Sequence, residues 1–81
     1  MNITVKMFAA LRDAVGESEV AIEVPEGSTV ATIRVALCEA HPQLQPLVEQ
    51  AMFAVDAHYA REDQVIRQGS DVACIPPVSG G

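Results

Sequence analysis

From Asn2 to Phe8 the chain alternates: Ile3, Val5 and Met7 fall on one side, Asn2, Thr4, Lys6 and Phe8 on the other. A period of two marks a half-buried strand, and it leaves Phe8 on the exposed face. Ala9 to Val15 reads as a short helical turn, with Leu11 and Val15 four apart and Gly16 placed as a helix-ending glycine. Alternation returns over Ser18–Val24, where Val20, Ile22 and Val24 share a face. The compact connection lets these two strands pair antiparallel. Val24-Pro25-Glu26-Gly27 is expected to form a β-turn, with Pro second and Gly fourth.

Ser28 or Thr29 is placed to cap the one clear helix, in which Val30, Ile33, Leu37 and Ala40 form an apolar stripe with Arg34 and Glu39 off it. Pro42 should stop that helix by pushing His41, a solvated end residue, out of α geometry. Leu44 to Gln50 suggests another short turn, and Met52 to Asp56 a third strand. A fourth strand is expected around Tyr59, and Gln64 to Arg67 fits no single pattern. Gln68-Gly69-Ser70-Asp71 reads as a turn before the last strand, Val72–Ile75, whose Val72 and Cys74 face in and Ala73 and Ile75 out. One main helix on one mixed sheet of four to five strands is an α+β arrangement. We expect a folded domain over residues 1–75 and an extended tail over 76–81.

Composition narrows the function classes. Eighty-one residues, nearly half of them apolar, suffice for one small core. Its only aromatics are Phe8, Phe53 and Tyr59, so that core must be aliphatic. A net charge of −6 with five scattered basic residues argues against nucleic acid, which needs a basic patch. Asn2 to Lys6 has no secretory signature and no apolar run is long enough for a membrane, so a cytoplasmic location is expected. Cys38 and Cys74 lack metal-ligand spacing and read as reduced, semi-buried hydrophobes.

The chain has no GxxxxGK[ST] or GxGxxG loop, no HExxH and no paired CxxC, so neither a nucleotide nor a metal is expected on it. Asp56 and His58 could share a strand face, but no nucleophile accompanies them. The distinctive chemistry lies at Ile75-Pro76-Pro77-Val78-Ser79-Gly80-Gly81. Two prolines end a strand and hold the chain extended. Two glycines enter channels too narrow for a Cβ. A Gly81 carboxylate, ionised at neutral pH, is a poor electrophile. It needs activation, ordinarily adenylation by ATP, and the ATP site must then belong to a partner. An acyl-adenylate attacked by an amine gives an isopeptide bond. Attacked by sulfur, it leads to a thiocarboxylate, which can deliver sulfur and regenerate the carboxylate.

Asp71-Val72-Ala73-Cys74-Ile75-Pro76-Pro77-Val78-Ser79-Gly80-Gly81 resembles the ending of the MoaD family, the small subunits of molybdopterin synthase. Phe8-Ala9-Ala10-Leu11-Arg12-Asp13 with Gly16 resembles that family's first loop, and Phe53-Ala54-Val55-Asp56 with Gly69-Ser70-Asp71 its middle and last turn. Cys74 and Ser70 are mild departures from the pattern. The resemblance implies a β-grasp, ubiquitin-like fold. It implies that a MoeB-type enzyme adenylates Gly81 and that a persulfide donor converts the adenylate to a thiocarboxylate. Pro76, Pro77, Val78, Ser79 and Gly80 would then thread into a MoaE-type large subunit, where sulfur converts cyclic pyranopterin monophosphate to molybdopterin in a heterotetramer. It assigns Phe8, Tyr59 and Ile75 to an apolar docking patch, with Arg12 an anchor for either partner or one half of a surface ion pair. The same tail would serve a carrier for thiamine, cysteine or tRNA thiolation, a ubiquitin-like modifier of lysines, or a plain interaction module.

Overall fold

The computed structural model describes residues 1–77; the expected tail residues Val78, Ser79, Gly80 and Gly81 lie outside the described residues. Strand β1 (Asn2–Met7) alternates exposed and buried positions throughout, and β2 (Glu19–Glu23) does the same. They pair antiparallel, with Ile3 opposite Ile22 and Val5 opposite Val20, so their apolar faces coincide. Between them α1 (Ala10–Val15) buries Leu11 and ends at Gly16 (φ 80), whose N–H donates to the Arg12 carbonyl at 2.8 Å.

Helix α2 (Val30–Ala40) buries Val30, Ile33 and Leu37. Of the two expected caps, Thr29 holds the position and accepts from the Thr32 N–H, while the Ser28 hydroxyl donates back to the Pro25 carbonyl. Ala40, expected on the apolar stripe, is exposed: it is the last helical residue, and the chain leaves the sheet there. His41 has left α geometry (φ −134, ψ 77) ahead of Pro42, and it is half-buried rather than solvated. A 3-10 turn (Pro42–Leu44) and α3 (Gln45–Val48) follow, planting Leu44 and Val48 in the core.

Strand β3 (Met52–Val55) forms a hairpin with the two-residue β4 (His58–Tyr59), and β5 (Val72–Ile75) completes the sheet. The order is β2-β1-β5-β3-β4, with β5 parallel to β1 and all other pairs antiparallel. This is the expected α+β, β-grasp arrangement: one mixed five-stranded sheet on one main helix. One sheet face packs on α2 through Ile3, Val5, Ile33, Leu37, Phe53 and Val72.

Both expected turns sit one residue earlier or later than the sequence suggested. The first runs from Pro25 to Ser28, closed by Ser28 N–H to Pro25 carbonyl, and the second from Arg67 to Ser70, closed the same way. Gly27 and Gly69 therefore occupy third positions, with φ of 84 and 89. A left-handed third residue is what a type II turn requires of glycine. The ambiguous 64–67 segment also resolves. It buries Ile66, bridges Val65 to Thr29, and lends the Gln64 carbonyl to the Val30 N–H; nearby, the Glu62 carbonyl accepts from Ala31. Two donors at the start of α2 that the helix itself cannot satisfy are thereby paired.

Candidate functional site

The sheet's second face carries no helix. Residues paired in register point the same way, so one row across this face reads Glu19, Lys6, Ala73, Ala54, Tyr59. The next row toward the end of β5 holds Ile75 opposite Met52. Phe8 follows β1 beside this row. Phe8 is 45% exposed, Met52 52% and Tyr59 68%, while Ile75, Ala73 and Ala54 are half-covered. An apolar cluster of this kind on one face, unlike scattered single residues, marks an interaction surface.

Beyond its edge lies an open groove of about 780 Å³ lined by Phe8, Ala9, Ala10, Leu47, Gln50, Ile75, Pro76 and Pro77. The sequence-predicted patch is thus assembled in part. Phe8 and Ile75 meet at the groove. Tyr59 stands apart on the edge strand, joined to them only across Ala54 and Met52. Arg12 is exposed on α1 and forms no ion pair among the described residues. Pro76 and Pro77 leave the sheet at the groove; Val78, Ser79, Gly80 and Gly81 are outside the described residues.

Met52 escaped the sequence reading, although its position out of phase with buried Phe53 signalled an outward side chain. Arg34 escaped it too. It lies off the helix stripe as expected, yet its side chain is only 19% exposed. Its Nη1 donates to the carbonyls of Val48 and Ala51, its Nε and Nη2 grip the Glu62 carboxylate at 3.0 and 2.6 Å, and the guanidinium lies 4.9 Å from the Phe53 ring centre. This fork fixes the loop that presents Leu47 and Gln50 to the groove.

The remaining candidates are not brought together. Asp56 does not share a strand face with His58: Asp56 and Ala57 (φ 51 and 70) are the two central residues of the β3–β4 turn. The Asp56 carboxylate accepts from the Asp71 N–H, and the His58 Nδ1 lies 3.1 Å from the Asp56 carbonyl oxygen. Burial pushes the Cys74 thiol up to about 12 and raises Cys38 as well, so neither is poised as a thiolate. Among the described residues no cluster of metal-ligating side chains occurs, and no helix is long and apolar enough to cross a membrane.

Residues 5–81 match the ThiS family. The chain is 36% identical to the molybdopterin synthase sulfur carrier subunit of Caenorhabditis elegans, covering 100% of this chain and 99% of that one. It is 32% identical to the subunit of the same name from Chlamydomonas reinhardtii, with full coverage of both. Among solved structures it superposes on SAMP1 of Haloferax volcanii with a TM-score of 0.86 at 28% identity, covering 100% of each chain.

Proposed function

The chain belongs to the ThiS family, and from that premise we propose that it is the sulfur carrier subunit of a molybdopterin synthase. The observation that carries this reading is end-to-end similarity to subunits of that name, through the Gly-Gly ending. The geometry supports it: the strand that feeds the tail exits between an apolar groove and an apolar sheet face.

In this reading the chain is not catalytic alone and binds no cofactor. A MoeB-type enzyme uses ATP to join the Gly81 carboxylate to AMP with release of pyrophosphate. The terminal sulfur of a persulfide then displaces AMP to give an acyl disulfide, and a thiol attacks the donor's sulfur, leaves as a disulfide with it, and frees the thiocarboxylate. The tail from Pro76 to Gly80 then enters a MoaE-type subunit in the cytoplasm. There the thiocarboxylate transfers sulfur to cyclic pyranopterin monophosphate and returns as carboxylate. Phe8, Ile75 and Tyr59 dock the partner, with Arg12 as a peripheral anchor.

The test is the intact mass of the chain after incubation with ATP, the activating enzyme and a sulfur source. One oxygen replaced by sulfur, lost on deleting Gly81, is expected. Molybdopterin should then form on adding the large subunit and the cyclic pterin. A proven thiocarboxylate that yields no molybdopterin would direct the chain to another thiolation pathway. The superposition on SAMP1, a small archaeal modifier protein, favours a second reading in which Gly81 ends on lysines. Isopeptide conjugates recovered from cells, with no thiocarboxylate, would establish it.

A further inference from the structure

Met52 is the one thioether on the exposed sheet face. Of the three methionines, Met7 is buried at 2% and Met1 packs partly against the core, whereas Met52 is 52% exposed. It sits directly opposite Ile75, two residues before Pro77. Residues paired this way lie roughly 5 Å apart.

The occupant of this face follows from the tail. Four residues separate Pro77 from the Gly81 carboxylate, and four extended residues reach at most about 14 Å. An enzyme that holds that carboxylate in a site shielded from water must bring its own surface against the Pro77 end of the sheet. The adenylating enzyme is required under every reading of a reactive Gly81, carrier or modifier, because the carboxylate needs activation first. We propose that Met52 is a docking residue for the ATP-dependent enzyme that adenylates Gly81, and that two-electron oxidation of its thioether by a peroxide uncouples the chain from that enzyme. The inference rests on the activation step of the proposed function and not on the identity of the sulfur acceptor.

The chemistry balances. The sulfur lone pair attacks one peroxide oxygen, the O–O bond breaks, and the departing hydroxide takes a proton and leaves as water. The thioether becomes a sulfoxide and the peroxide is reduced. A flexible apolar side chain thereby becomes polar, and it must lose water to dock. Thiol-dependent methionine sulfoxide reductases, one for each sulfoxide epimer, reverse the change.

The experiment measures ATP–pyrophosphate exchange by the activating enzyme as a function of carrier concentration. The carrier is native chain, chain treated with hydrogen peroxide and then dithiothreitol to reset the thiols, Met52→Leu, or Met52→Gln. The expected result is a roughly tenfold loss in kcat/KM for the treated chain, recovered with the two epimer-specific reductases together. Met52→Leu should keep native kcat/KM before and after peroxide, and Met52→Gln should match the oxidised chain while melting at the native temperature. Native kcat/KM for Met52→Gln would overturn the docking role. An equal peroxide loss in Met52→Leu would move the effect to another group and overturn the switch. If the untreated chain supports no exchange, the activation step itself fails, and this proposal falls with it.

Discussion

Replacing Arg34 with Ala should remove about 3 kcal/mol of stability, a large share of the roughly 4–12 kcal/mol expected for a domain of this size. The estimate is assembled from the contacts. Two hydrogen bonds from a charged, mostly covered guanidinium to the Val48 and Ala51 carbonyls contribute about 1.5 kcal/mol each. The Glu62 pair adds no more than about 1 kcal/mol, because that carboxylate is largely in water. Stacking on Phe53 adds about 0.5–1 kcal/mol. These share one side chain and are not additive, so the net loss falls somewhat below their plain sum. Urea unfolding followed by far-UV circular dichroism is the assay, since the chain has no Trp. Arg34→Ala should lower the midpoint at unchanged m-value and lower Tm by about 12–24 °C. Arg34→Lys should fall between, because one ammonium cannot serve the carbonyls and the carboxylate together. Glu62→Ala should cost less than about 1 kcal/mol. If Glu62→Ala matched Arg34→Ala, the carbonyl contacts would contribute nothing and the reasoning would be wrong. Hydrogen exchange adds a functional readout: faster exchange over 45–51 in Arg34→Ala would report a loosened groove wall at Leu47 and Gln50.

The hydrogen bond from Arg34 lowers the Glu62 pKa below its ordinary value; stability from this pair is present above about pH 4.5 and is lost as pH falls through the folded pKa, so Glu62→Gln should flatten the acid limb of a pH–stability curve. Cys74, raised to about 12 by burial, favours folding below about pH 9 and loses that contribution as pH rises toward 12; Cys74→Val should remove this alkaline sensitivity. In the native state iodoacetamide should leave Cys74 unmodified, and labelling at a rate equal to the unfolded chain would contradict its burial. Ala57→Gly should stabilise the chain by about 0.5–1 kcal/mol, because the β3–β4 turn holds Ala57 at positive φ; a lower Tm for that variant would show the turn is not of the left-handed type.

Much of the fold was legible because each strand obeys its period. Ile3, Val5 and Met7, and later Val72 and Cys74, declare their face from sequence alone, and that parity also exposes Phe8 and Ile75. The sheet order was not legible, since β5 joining β1 in parallel is a contact between chain ends that no local pattern encodes. Turn registers slipped by one because the left-handed third position at Gly27 and Gly69 is a steric demand, which in the first turn outweighs the mere preference for Pro25 at a second position. The role of Arg34 was not legible, because helix periodicity sorts residues by polarity and says only that it lies off the stripe. An arginine that buries its stem and spends its fork on loop carbonyls looks, in sequence, like any solvated cation. The exposed apolar face was half legible: Met52 becomes part of it only once β3 is known to lie against β5.

An exposed apolar face carries a cost that the rest of the surface offsets. Phe8, Met52 and Tyr59 would favour self-association if two copies could meet face to face or edge to edge. Edge strand β2 presents Glu19 and Glu23 on the same side of the sheet, and the opposite edge, β4, is only two residues long. Lys6 is tied to Asp71 at 3.1 Å, so the cation bordering the apolar row does not offer those glutamates a free partner in a second copy. With a net charge of −6, copies repel one another while a partner with a positive rim is attracted. On the proposed function, a carrier that visits an activating enzyme and then an acceptor enzyme must also leave each of them. A small patch of about six side chains, two of them alanines, suits that traffic better than a large, deeply packed interface.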